Sequence, residues 1–104
     1  MSQMYQLGTT ATSVFTDDDG LTKVVYHATV VVKFNSNKIV LNTGGWSTAT
    51  TKARMNQASN QFRLGYSVVQ KAGRWFVEYA GQSVEFDETA TLDRISKNIN
   101  SDKE

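Results

Sequence analysis

The chain contains neither cysteine nor proline. Without cysteine there is no disulfide, no thiolate metal ligand and no thiol nucleophile. That usage fits a reducing cytoplasm, and a cytoplasmic setting is expected. Without proline, turns fall mainly to Gly, Asn, Asp and Ser. The sequence places such residues at Asp17 to Gly20, Asn35 to Asn37, Gly44-Gly45, Ala72-Gly73 and Ala80-Gly81. No apolar run approaches the roughly 18 residues of a spanning helix, so no membrane partner is expected. Met1 to Tyr5 shows no basic patch leading into an apolar block, so no signal peptide is expected.

Acidic residues are also missing over a long stretch. None occurs from Leu21 to Val77, which carries Lys23, Lys33, Lys38, Lys52, Arg54, Arg63, Lys71 and Arg74. Residues 1–20 hold only acids, and residues 78–104 hold more acids than bases, so the whole chain returns to a net charge of +1. Clustered cations raise the local concentration of anions, so the central block points to an anionic partner. The competing reading is that the acidic ends fold back and neutralise it.

What is present reads as one domain of 104 residues, with residues 1–20 peripheral and 100–104 frayed. Aromatic residues at 11% and charged residues at 20% place it among globular chains, not disordered ones. The run from Leu21 to Phe34 is β-branched and aromatic, and reads as a single strand. Alternation puts Val24, Tyr26, Ala28, Val30, Val32 and Phe34 on its core face. Asn35 to Asn37 turns the chain into a partner strand, Lys38 to Asn42. Thr50 or Thr51 can cap a helix running to about Phe62 or Arg63, with Met55, Ala58 and Phe62 on one face and Gly65 as C-cap. Tyr66–Lys71, Arg74–Tyr79 and Gln82–Phe86 form a meander. Leu92, Ile95 and Ile99 are spaced for a short second helix. The expected architecture is therefore α+β: an antiparallel sheet made of a hairpin and a three-stranded meander, one main helix packed on it, and a short C-terminal helix.

Candidates for catalysis are few. His27 is the only histidine, and a lone mid-strand histidine is more often structural than basic. Glu78 and Glu85 lie on neighbouring strands, yet solvated strand carboxylates are the simpler reading. Asp17-Asp18-Asp19-Gly20 lacks the later ligands of a calcium loop and reads as a turn. No His, Asp and Glu cluster has metal-ligand spacing. A non-enzymatic protein without a cofactor is expected.

Candidates for binding are better. Gly44 and Gly45 lead from a strand into the helix N-terminus, whose free N–H groups favour anions. Thr50 and Thr51 offer hydroxyls, while Lys52, Arg54 and Arg63 offer charge. Asn56 and Gln57 have the amides that read base edges. Trp46, in a polar loop, can stack on a base. Lys71 and Arg74 extend the basic surface. An ordinary strand–helix loop with a threonine cap is the competing reading. A nucleic acid or nucleotide is the first expected partner and a host protein the second. The long valine-rich strand also allows two copies to pair as a homodimer.

The motifs Tyr26-His27, Leu41 to Trp46, Thr50-Thr51-Lys52-x-Arg54-Met55-Asn56-Gln57, and the hairpin from Val69-Gln70-Lys71 to Trp75-Phe76-Val77 resemble a group of small bacteriophage proteins. The resemblance implies a phage origin and a host-cell cytoplasmic setting. It implies no activity that transfers onto residues. Small phage proteins are often nucleic-acid binders or inhibitors of host defences.

Overall fold

The computed structural model describes residues 12–26, 28–45 and 48–102. His27 and Trp46 lie outside the described residues, as do the N-terminal Tyr5 and Leu7. The elements are β1 (Thr12–Thr16), β2 (Thr22–Tyr26), β3 (Thr29–Phe34), β4 (Lys38–Asn42), α1 (Ala49–Phe62), β5 (Tyr66–Lys71), β6 (Arg74–Tyr79), β7 (Gln82–Phe86), β8 (Thr89–Asp93) and β9 (Ile99–Ser101). The fold is α+β and mostly strand. Its strands form two antiparallel sheets, a six-stranded one in the order β1-β2-β3-β4-β8-β9 and a three-stranded one in the order β5-β6-β7. The sheet expected to be single is thus divided between these two.

The stretch from Leu21 to Phe34 is not one strand. It folds into the β2–β3 hairpin, with Val24 opposite Val32 and Val25 opposite Val30. A 14-residue strand would extend about 46 Å, beyond the 39 Å long axis of the molecule. A bulge at Val24/Val25 leaves Val31 as the extra residue and shifts the alternation. Val31 and Val32 are therefore both buried. Val30, expected in the core, turns to the outer face beside Lys23 and Lys33, and Ala28 is exposed.

The expected C-terminal helix is also replaced by strand. Ala90 and Leu92 alternate inward from β8, while Ile95 is 73% exposed in the following turn. That turn is held by Asp93 Oδ1, which accepts the N–H groups of Ile95 and Ser96, both at 2.9 Å. The helical spacing of Leu92, Ile95 and Ile99 thus spans a strand, a turn and a strand. β9, which overlaps the segment expected to fray, pairs with β8. Asp102 follows and accepts N–H groups from Asp87, Glu88 and Thr89 at 2.8–3.1 Å. Ser101 Oγ also donates to the Glu85 carbonyl at 2.8 Å, tying β9 to β7.

The core lies between the sheets and α1. It joins Val24, Val32, Ile39, Leu41, Ala90 and Leu92 of the larger sheet to Met55 and Ala58 of α1 and to Val68, Trp75, Val77 and Phe86 of the smaller one. Trp75 meets Phe86 edge to face at 6.1 Å. The turns after β5 and β6 hold Ala72-Gly73 and Ala80-Gly81, all four at positive φ. Two consecutive positive-φ residues are the type I′ geometry that matches strand twist.

Candidate phosphate-binding surface

The loop into α1 is built by its own side chains. Asn42 Oδ1 accepts the Gly44 N–H at 2.8 Å and Thr43 Oγ1 accepts the Gly45 N–H at 3.2 Å. The Gly44 and Gly45 amides are thus engaged within the loop. Gly44 is required twice over. Its φ is +63°, and a Cβ there would stand 2.5 Å from Thr29 Cγ2. Gly45 has φ +85° but open space around it.

Thr48, not Thr50 or Thr51, is the N-cap of α1. Its Oγ1 accepts the Thr51 N–H at 3.2 Å. Thr51 is fully buried and its hydroxyl meets Thr48 Oγ1 at 3.2 Å, so it presents nothing outward; Thr50 is exposed. The C-cap is Arg63 in left-handed conformation, φ 55°, two residues before the glycine expected there. Its N–H still reaches the Ser59 carbonyl, which closes the last turn.

The helix separates the residues that the linear sequence clusters. At about 100° per residue, Lys52 and Arg54 stand about 200° apart around the axis. Lys52 and Asn56 share the flank that also carries Ser59, next to β5. Arg54 and Gln57 share the other. There the Arg54 guanidinium lies 5.5 Å from the centre of the Tyr26 ring, a cation–π contact. Its Nη1 donates to Gln57 Oε1 at 3.4 Å.

Asn56 is part of the fold. Its Nδ2 donates to the Val68 carbonyl at 2.9 Å and its Oδ1 accepts the Val68 N–H at 2.7 Å. One turn on, Ser59 Oγ makes the same two bonds to Tyr66, at 2.6 and 3.1 Å. Two helix side chains thereby complete the edge of β5. This register carries Lys52, one turn before Asn56, toward Gln70 and the β5–β6 turn, where Lys71 and Arg74 face each other. Arg63 is left at the opposite end of α1, about 16 Å along the axis from Lys52. The linear cluster is therefore divided: Arg54 and Arg63 lie apart from Lys52, and Lys71 and Arg74 face each other across the β5–β6 turn.

Both ion pairs among the described residues run from the basic block to an acidic flank. Lys23 Nζ pairs with Asp17 Oδ2, and Arg74 Nε lies 3.9 Å from Glu85 Oε2. The hydrogen bond and charge of Asp17 hold the Lys23 ammonium above its ordinary pKa, against a smaller opposing effect of burial. The acidic ends thus reach two of the cations. Lys33, Lys52 and Arg63 have no carboxylate within 4.0 Å among the described residues. Lys71 stands over the Phe76 ring at 5.7 Å. Glu78 and Glu85 do not face each other, since Ser83 lies opposite Glu78 and Phe76 opposite Glu85.

Other shifted groups have structural partners. Burial pushes the Tyr66 phenol far up, and its hydroxyl donates to the Met55 carbonyl at 2.6 Å. The N–H groups of Ser96 and Ile95 hold Asp93 below its ordinary value. Burial pushes Asp102 up, but the backbone N–H groups of Asp87, Glu88, Thr89 and Asp102 itself together outweigh it and the net shift is downward.

Residues 2–94 match the family described as Kyanoviridae Gp96 protein. The chain belongs to this family of cyanophage proteins. The expected phage origin is thereby shown. The Gp96 match spans the double glycine, all of α1 and every basic residue discussed above. It ends at Arg94, before β9. Curated proteins and solved structures yielded no match.

Sequence reading missed two features. The Asn56 and Ser59 bonds to β5 were hidden because polar residues on a helix look solvated until a strand edge is placed beside them. A concavity lined by Lys23, Val30, Lys33, Val40 and Asn42 was hidden by the bulge that turns Val30 outward.

Proposed function

We propose that this cyanophage protein is a non-enzymatic binding protein for nucleic acid or a nucleotide-like phosphate ligand, acting in the host-cell cytoplasm. One observation carries the reading. From Leu21 to Val77 every charge is positive, and among the described residues folding brings carboxylates onto Lys23 and Arg74 but not onto Lys33, Lys52 or Arg63. Cations without carboxylate partners give a surface that attracts phosphate. Lys52, one helical turn before Asn56 on the flank of α1 beside β5, is the centre of the proposed contact. Arg54 adds charge from the other flank, beside Tyr26. Binding rather than turnover is favoured because the groups with shifted pKa serve the fold. Lys23 is ion-paired, Tyr66 bonds a buried carbonyl, and Asp93 and Asp102 cap backbone N–H groups.

The test is a fluorescence-anisotropy titration against labelled single- and double-stranded DNA and RNA at two salt concentrations. Binding that weakens steeply with salt, and by about tenfold or more in Lys52→Glu, is the expected result. Binding indifferent to salt and to Lys52→Glu would overturn the reading. A salt-tolerant complex with a host protein, recovered by pull-down, would support a counter-defence inhibitor instead.

A further inference from the structure

The outer face of the larger sheet, turned away from α1, carries a second cationic feature. Strand register lines up Phe15, Lys23, Lys33 and Val40 in one row across β1 to β4. Lys23 and Lys33 are direct cross-strand partners, a like-charge pairing that antiparallel strands disfavour. They border the concavity whose other lining residues are Val30, Val40 and Asn42. Asp17 engages Lys23. Lys33 has no such partner among the described residues. The Asn42 oxygen accepts the Gly44 N–H, so its amide NH2 is the group left to meet a ligand. The polar side chains lining the concavity therefore offer donors, over an apolar base of two valines. Donors around an apolar base suit an anionic group carried on an organic body.

We infer that this concavity binds the phosphate of a nucleotide or of a nucleic-acid strand. Lys33 and the Asn42 amide donate to the phosphate oxygens, and Lys23 adds charge while tethered to Asp17. Val30 and Val40 receive the adjoining sugar. Phe15, 47% exposed and next in the row beyond Lys23, is placed to stack a neighbouring base. The inference deepens the proposed function, on whose phosphate-ligand reading it rests, and adds a site on the side of the sheet opposite α1.

The experiment is an NMR titration of the 15N-labelled full chain, first with adenosine monophosphate and then with a short oligothymidylate. Saturable shifts of the Lys33, Val40 and Asn42 amides with either probe are expected. Lys33→Ala, which removes no core contact, should weaken that binding by about tenfold or more. Shifts with the mononucleotide alone would identify a nucleotide site, and shifts with the oligonucleotide as well, enlarged at Phe15, would identify a strand site. Absence of shifts at these residues with both probes, or identical titrations in Lys33→Ala, would overturn the inference. If oligonucleotide binding survives Lys33→Ala but is lost in Lys52→Glu, the inference fails while the proposed function stands. Survival of binding in both variants and at high salt removes the two together.

Discussion

The carboxamide of Asn56 hydrogen-bonds both backbone groups of Val68, at 2.9 and 2.7 Å, as a neighbouring strand would. An amide side chain has one donor and one acceptor in the geometry of a peptide group, so a helix residue can stand in for a missing strand. Val68 is buried, and water cannot easily replace these bonds. Asn56→Ala is therefore expected to lower the unfolding free energy by about 2–3 kcal/mol, measured by urea denaturation. Nucleic-acid binding of the folded fraction should be unchanged. Lost binding at full stability would assign Asn56 to ligand contact instead.

The double glycine separates two costs. Gly44→Ala meets both a positive φ and the Thr29 side chain, so a loss of about 2–4 kcal/mol is expected. Gly45→Ala meets the φ penalty alone, so about 1 kcal/mol is expected. Thermal unfolding of the two variants decides. Equal losses would show that Thr29 yields without cost.

Ala72 and Ala80 occupy positions that favour Asn or Gly, with φ of 52° and 53°. Ala72→Asn and Ala80→Asn create Asn-Gly turns of the type I′ class. Each should stabilise by about 0.5–1 kcal/mol. The two sites lie at opposite ends of β6, so the gains should add in the double variant. Chemical denaturation of the three variants measures this.

Asp102 ties the C-terminal strand to the β7–β8 turn through three N–H groups. Its carboxyl lies below the ordinary value of 3.8 in the folded chain. A depressed carboxylate pKa contributes stability that is present above the unfolded value and lost as pH falls through the folded one. Asp102→Ala should therefore melt several degrees below the parent chain at neutral pH. That gap should close as the pH is taken well below 3.8. A gap constant across the range would mean that the carboxylate charge plays no part.

Much of the fold was legible because local chemistry decides it. The meander follows from Ala72-Gly73 and Ala80-Gly81 between alternating strands, and all three of its strands stand at the expected residues. The β3–β4 turn follows from Asn35, whose Oδ1 accepts the N–H groups of Asn37 and Lys38. The bend between β2 and β3 was not legible, because no Gly, Asn or Asp marks it and valines run through both sides. The terminal strands were not legible, because Leu92, Ile95 and Ile99 fit a helical period by coincidence. Of the candidate surface, the cations were legible as a charge block. Their separation into flanks was not.

The sequence by itself determined the α+β class, the positions of the main helix and of most turns, and the segregation of charge. These depend on residue type and short-range spacing. Only the tertiary structure decided which cations meet carboxylates, since Asp17 and Glu85 come from opposite sides of the basic block in the chain. It also decided that Asn56 completes β5 and that Val30 faces outward beside Lys33. Those outcomes rest on strand register, on one bulge and on the packing of α1 against β5. Each is set by the burial of a shared core, and a shift of one residue in any of them would move a side chain from one face to the other.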